Sequence, residues 1–502
     1  MSIRKAVSVL LTRDPNSTEV FLVERNPSLK FFGGYYAFPG GVLDEENDAI
    51  DVRGAEDFDR EALQFLLAAA REIFEETGVL LSRGQSDIPP AKMRNYREQL
   101  LKREIDLAAI LNHEGRFLDA ADFHPLCKII TPEFSLVRYE TQFYWAALPE
   151  DAAPEVWPGE LMSGRFIAAA EALAQWRRGE LLIVPPVVTI LRELAGRSVI
   201  KCAAIVNDIA ESYMRGKIHR VYFTPGVQLI TLQTRTLPPA THTNCYLVGE
   251  SEIYIIDPAP ADPLEQARLW DYLDEQIAEG RELKAILLTH HHSDHMGALR
   301  ECSRRYGLPI LAHEQTATNM PDFEFAGHLQ HGDELELGAA PDGQPNWKLK
   351  LYHTPGHAPG HLCFQETRYG AVIAGDLIST ISTIVISPPQ GHLATYLKSL
   401  QFLESVTAGA LYPGHGPAAR DGRSVVRYYL QHRQEREQKL LAALNSQPQS
   451  LTDLLKKVYD DVDPAVWPLA QHSLRAGLIK LMEEGKCQQV GEAYCAVSPS
   501  KK

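Results

Sequence analysis

The stretch Leu287-Leu288-Thr289-His290-His291-His292-Ser293-Asp294-His295 constrains this chain more than any other. The apolar run Ala285 to Leu288 reads as a buried strand. It delivers a loop carrying His290, His292, Asp294 and His295 at the spacing His-x-His-x-Asp-His. Neutral imidazole and carboxylate are the ligand types that hold Zn²⁺, and one short loop can present several of them together. The bland alternative is a solvated His-rich turn. Four ligand-type residues within six positions, directly after a strand, weigh against it.

This spacing matches the metal-binding signature of the metallo-β-lactamase fold, and further pieces follow in order. Thr354-Pro355-Gly356-His357 resembles the family's third ligand loop, Ala374-Gly375-Asp376 the strand end with a bridging Asp, and Tyr412-Pro413-Gly414-His415-Gly416 the last ligand loop. The resemblance implies one Zn²⁺ on His290, His292 and His357. A second lies on Asp294, His295 and His415, with Asp376 between the two. Two divalent ions lower the pKa of a shared water and polarise the oxygen under attack, so hydrolysis is the implied reaction. Asp294 is the implied catalytic residue, accepting a hydrogen bond from that water. His361 reads as a packing or orienting neighbour of the ligands. Asp257 reads as a residue that orders the active-site base. Ser387-Pro388-Pro389-Gln390-Gly391 begins an insertion that could line the substrate mouth.

The first part of the chain has a different character. Val7 to Leu11 and Glu19 to Val23 alternate like strands around the turn Asp14 to Ser17. After Phe38-Pro39-Gly40-Gly41 comes an acidic stretch through Asp57, expected as an exposed loop. From Asp59 to Gly78 the apolar spacing is helical, with Gly78 as the stop. That helix ends in Arg71-Glu72-Ile73-Phe74-Glu75-Glu76-Thr77-Gly78-Val79. Glu72, Glu75 and Glu76, at i, i+3 and i+4, share one face and repel unless a cation neutralises them. Such oxygen ligands suit Mg²⁺ or Mn²⁺. A solvated acidic face is the alternative.

The run resembles the core of the Nudix box. The stretches Phe32 to Gly41, Arg138 to Tyr144 and Gly159-Glu160-Leu161 resemble Nudix proteins of the peroxisomal coenzyme A diphosphatase type. That resemblance implies cleavage of a diphosphate, with Glu75 and Glu76 catalytic and Glu72, Glu75 and Glu76 holding the metal. One departure stands out: Leu63 occupies the position of a further box Glu, and Glu61 is off register. Arg71 is expected to pair with a carboxylate and fix the helix. Glu160 is a candidate extra carboxylate or simply a surface residue.

The expected organisation is multidomain, α/β and α+β. A Nudix α/β/α sandwich occupies residues 1–196, a connector 197–227, an αββα metallo-β-lactamase sandwich 228–423, and a helical and winged-helix tail 424–502. A net charge of −15 argues against bulk attraction to nucleic acid or anionic membranes. RNA binding would need a local cluster, for which Lys456, Lys457, Arg475, Lys480 and Lys486 are the candidates. Seven scattered cysteines read as reduced thiols, and with no secretory pattern or membrane-length apolar run the expected location is cytoplasmic. Three function classes stay open. The first is a glyoxalase-II-like hydrolase of small esters or thioesters joined to a Nudix diphosphatase, with nucleoside diphosphate-linked or coenzyme A derivatives as partners. The second is a single-strand endoribonuclease. In the third, the Nudix domain binds a ligand or partner without catalysis.

Overall fold

The structure, a computed structural model, describes residues 3–29, 31–44, 50–84, 87–135 and 137–497. It forms two compact units, Met1–Pro225 and Gly226–Lys502.

In the first unit, side-chain alternation along two strands builds two cores. Strand Arg4–Thr12 pairs in parallel with Tyr139–Ala147, with Val7 opposite Gln142, and the strand Glu19–Arg25 lies on its other side. Val7, Val9, Leu11, Phe21 and Val23 face one core with Phe65, Ile73 and Phe74 of the helix Arg60–Thr77. Leu10, Val20 and Leu22 face the other core, as a period of two requires. This is an α/β/α sandwich. Asp59 caps the helix Arg60–Thr77, its carboxylate accepting the Ala62 N–H at 2.7 Å.

The expected connector 197–227 needs correcting. Its helix, Val199–Met214, buries Val199, Cys202, Val206 and Ala210 in the second of these cores. Those positions recur at helical spacing, so the segment has an apolar stripe that must be covered. The expected acidic loop is also only partly one. Val52–Arg53 forms a short parallel pair with Leu118–Asp119, and residues 45–49 lie outside the described residues.

The second unit stacks two sheets. One carries Val227–Gln233, His242–Val248, Glu252–Ile256, Glu282–Leu287 and Ile310–Ala312; the other runs Glu334–Gly338, Trp347–His353, Leu362–Glu366, Val372–Ser379 and Leu411–His415. Helices Pro263–Ala278 and Leu299–Tyr306 lie on the first sheet, Leu393–Val406 and Gly422–Ala443 on the second. The strand Glu282–Leu287 is central and parallel to both neighbours, so its apolar residues are buried on both faces and its end opens onto the metal-type loop.

The boundary expected at 423/424 falls inside the first turn of a shared helix. Gly422–Ala443 gives Val426 and Tyr429 to the sandwich core and Leu440 to the tail core. Its 22 residues extend about 33 Å, long enough to serve both. The tail is a winged helix: Leu451–Val458, Trp467–Glu483 and a small sheet in which Ala493–Ala496 lies between Gln449–Ser450 and Cys487–Val490. No helix among the described residues is long and apolar enough to cross a membrane.

Candidate metal centre and box helix

Seven side chains from separate strand ends converge in the second unit. Ligand-type atoms of His290, His292, His357 and Asp376 lie within 4.8 Å of one another, as do those of Asp294, His295 and His415. Asp376 joins the sets. Its Oδ1 is 3.4 Å from His295 Nε2 and 3.3 Å from His415 Nε2, and its Oδ2 is 3.5 Å from His357 Nε2. Asp294 Oδ2 is 3.6 Å from His415 Nε2. A Cβ on Gly414 would land on Asp376 Oδ1, so the last loop must carry glycine there.

The outer nitrogens decide which way the lone pairs point. His357 Nδ1 donates to the Val385 carbonyl at 3.1 Å, and His415 Nδ1 to the His242 carbonyl at 2.8 Å. His295 Nδ1 donates to Asp257 Oδ2 at 2.8 Å. Thr289 Oγ1 gives its proton to the same oxygen at 2.6 Å, so at 2.9 Å it accepts from His290 Nδ1. In the neutral state all four rings therefore turn a bare Nε2 inward.

His292 Nδ1 sits 3.0 Å from His290 Nε2 and 2.9 Å from His357 Nε2. It carries one proton at most and serves only one of them. His295 Nε2 and Asp376 Oδ1 are buried without a hydrogen-bond partner. Inward lone pairs and orphaned buried acceptors are what bound cations satisfy, so these residues fit a metal pair.

The electrostatics divide the ligands. Burial, with crowding by neighbouring imidazoles, drives His290 well below the ordinary range and His292 down to about 3. Burial also lowers His357. Burial would lower His295 and His415 too, but Asp376 and, at His295, Asp257 outweigh it and raise both. Asp376 is held well below the usual carboxylate range, because His415 and His295 overcome its burial. His361, expected as a neighbour, is fully buried and hydrogen-bonded through Nδ1 to Thr354 Oγ1 at 2.9 Å, outside both ligand groups. Asp257, expected to order the active-site base, accepts from His295 and from Thr289, which in turn accepts from His290. Thr289 and the carbonyls of His242 and Val385 were not legible as orienting groups, because a backbone acceptor leaves no mark in sequence.

The box helix is arranged differently. Arg71 lies 3.0 Å from Glu72 and 3.3 Å from Glu75 and also donates to the Val42 carbonyl. Glu76 accepts the Gly40 N–H at 2.7 Å. The loop reaches it because Val7 and Val9 donate to the carbonyls of Gly41 and Pro39. A Cβ on Gly41 would collide with the Glu72 carboxylate. Desolvation, then the adjacent Glu72 charge, raises Glu76 well above the usual range despite that N–H. Glu160 is exposed and 3.7 Å from Arg25. Among the described residues, Glu72, Glu75 and Glu76 do not form a three-ligand group of the kind found in the second unit. On the expected carboxylate face, Arg71 pairs with Glu72 and Glu75 and the Gly40 amide with Glu76.

Three family profiles match the chain: Metallo-beta-lactamase superfamily over residues 238–415, NUDIX domain over 2–99, and Beta-lactamase associated winged helix domain over 450–494. A Beta-lactamase-like protein 2 homolog of Caenorhabditis elegans is 30% identical over 252 residues, 48% of this chain and 79% of its own length. The chain belongs to the metallo-beta-lactamase superfamily. The corresponding Drosophila melanogaster homolog is 29% identical over 258 residues, 49% of this chain and 83% of its own length. Among solved structures, the metallo-beta-lactamase family protein TTHA1429 of Thermus thermophilus is 24% identical with a TM-score of 0.46, covering 55% of this chain and 100% of its own. This superfamily member thus carries a NUDIX domain ahead of its sandwich and a winged helix behind it. Both catalytic families are hydrolases, and the superfamily fold implies metal ions at the His/Asp cluster.

Proposed function

We propose that the chain is a hydrolase of small esters or thioesters working through a two-zinc centre on His290, His292, His357, Asp376, Asp294, His295 and His415. The observation that carries this reading is the inward lone pair on each of four histidines, set by a fixed acceptor on the opposite nitrogen. Bound there, a zinc pair supplies Lewis-acid polarisation and a water that ionises near neutral pH. The chain's own contribution is orientation. Asp376 presents one oxygen to each ligand set, and Asp257 and Thr289 fix His295 and His290. Asp294, the more solvent-exposed carboxylate of the set, would accept a hydrogen bond from the attacking water and orient it.

The state of the tail's cations favours a small substrate over RNA. Lys480 is paired with Glu437 and Glu484 at 2.6 Å, Lys486 with Glu484 at 2.7 Å, and Lys457 donates to Gln449. Lys456 and Arg475 are the exposed remainder of the candidate cluster, a small footprint for a phosphate backbone.

For the NUDIX domain the ligand class we favour is a nucleoside diphosphate-linked or coenzyme A compound. The box carboxylates do not fit a preformed Mg²⁺ or Mn²⁺ site, which supports binding without turnover over diphosphatase action. All seven cysteines are free and buried, which supports the cytoplasm as the working compartment.

The test is elemental analysis of the purified full chain, followed by thioester, diphosphate and single-stranded RNA assays at two salt concentrations. Two zinc equivalents and salt-insensitive thioester cleavage are expected. RNA cleavage alone, abolished by salt, would replace this reading with the endoribonuclease. Mg²⁺-dependent diphosphate cleavage lost in Glu76→Gln would restore the diphosphatase.

A further inference from the structure

Three of the inward-facing histidines are oriented from within the sandwich: His290 and His295 through Thr289 and Asp257, and His415 through the His242 carbonyl. His357 is oriented from elsewhere. Its partner, the Val385 carbonyl, lies in the irregular strap 384–392 between the strand Val372–Ser379 and the helix Leu393–Val406. A carbonyl in such a segment has no sheet ladder to fix its direction, so other groups must.

Those groups come largely from the winged helix. On one side of Val385, the Ile384 carbonyl accepts from Arg433 of the helix Gly422–Ala443. On the other, the Ile386 N–H donates to Ser473 Oγ at 3.4 Å, and Ser387 Oγ meets His472 Nδ1 at 2.9 Å. At the far end His392 Nε2 lies 3.0 Å from Glu483. Ser473, His472 and Glu483 all belong to Trp467–Glu483, the second helix of the winged helix. The same strap crosses the mouth of the centre, where Gln390 Oε1 is 3.0 Å from His291 Nε2 and its amide reaches Asn319. Burial of Ile384 and Ile386 keeps the strap in place, but apolar contact does not choose a carbonyl's direction. His472 is exposed and Ser473 half-buried, and neither belongs to the winged-helix core.

We propose that the winged helix is a positioning element for the metal centre: His472 and Ser473 hold the strap so that the Val385 carbonyl accepts the hydrogen bond from His357 Nδ1. This rests on the metal-centre reading above. The tail then acts on the site from outside the ligand set, and His472 and Ser473 are positioning residues, touching neither metal nor substrate.

The experiment uses the zinc-loaded full chain and titrates a chromophoric chelator against it, with thermal unfolding measured in parallel. Wild type is compared with Ser387→Ala, His472→Ala, the pair together, Ser473→Ala and Ser473→Thr. Each alanine variant is expected to weaken one of two zinc ions by up to about tenfold, the lower end of what loss of an orienting partner costs. The pair should be no worse than either single change, because His472 acts through Ser387. Ser473→Thr, which keeps the hydroxyl, should restore retention, and the unfolding midpoints should match wild type. Unmoved retention in every variant, or additive losses that track a lowered midpoint, would overturn the proposal alone. A wild-type chain that holds no zinc would overturn the metal-centre reading, and the proposal with it.

Discussion

The centre at the sheet ends and the box helix both gather ionisable groups, yet the groups around them treat those side chains differently. In the second unit, seven ligand-type residues come from the ends of different strands. An acceptor elsewhere in the fold fixes the proton on the outer nitrogen of each of four histidines. The inner nitrogens therefore point at one another, and His295 Nε2 and Asp376 Oδ1 stay without a hydrogen-bond partner. In the first unit, three glutamates come from one helix turn; Arg71 pairs with Glu72 and Glu75, and the Gly40 amide donates to Glu76. Residue type is not what separates the two. The separation lies in whether surrounding groups leave inward acceptors bare or occupied.

The largest effect that would break this contrast is at the bridge. Asp376→Ala removes the carboxylate shared by both ligand sets, so both ions should be lost on elemental analysis. Hydrolysis should then fall by at least about a thousandfold, the scale of removing a major electrostatic stabiliser of the transition state. One retained ion would show that Asp376 belongs to a single set.

Next comes Asp257→Asn, which keeps size but exchanges a charged acceptor for an amide. Zinc affinity in chelator competition should drop about ten- to a hundredfold. No change would mean that His295 is held in place by packing.

On the other side of the comparison, Arg71→Met leaves Glu72 and Glu75 facing each other without their cation. Denaturant unfolding should show a loss of about 1–3 kcal/mol, typical when a partly buried polar partner is removed. Recovery of that loss by millimolar Mg²⁺ would show that a divalent ion can replace the guanidinium.

A smaller and more diagnostic effect is expected at Glu76. Its folded-state pKa is raised by burial and by Glu72. The folded chain therefore holds this proton more tightly than the unfolded chain. Stability falls as pH rises from the ordinary glutamate value, about 4.3, through the raised value. Glu76→Gln should thus raise the unfolding midpoint at pH 7 to 8, and the gain should vanish below about pH 4. A midpoint that falls at neutral pH with Mg²⁺ present would instead mark Glu76 as a cation ligand.

The smallest effect is expected at the exposed tail cations. Replacing Lys456 and Arg475 together with alanine should leave thioester turnover within about twofold, as surface changes away from a site usually do. A large loss of RNA cleavage in that variant would count against the small-substrate reading.

Much of the fold was legible because its signals are local. The run ending at Leu288 and the alternation around Val7–Leu11 reflect strands covered on both faces, and the helical spacing from Asp59 to Gly78 a helix that buries one. The seven ligand residues were legible for a related reason, since each sits in a short motif at a strand end. The connector was misread because a helical stripe such as Val199, Cys202, Val206 and Ala210 does not announce which core will cover it. The Gly40 amide at Glu76 was not legible, because charge spacing along a helix omits a loop brought there by pairing with Arg4–Thr12.

The sequence by itself determined the ligand inventory, the order of the three domain types and which strands are buried, because these follow from residue type and periodicity. Tertiary structure decided which nitrogen of each histidine is bare, which oxygen of Asp376 faces which ligand set, and that Arg71 occupies two box glutamates. It also placed winged-helix residues behind the strap that orients His357. These outcomes depend on backbone carbonyls and amides meeting side chains far away in sequence. Every residue carries such groups, so only the folded path of the chain selects the ones that act.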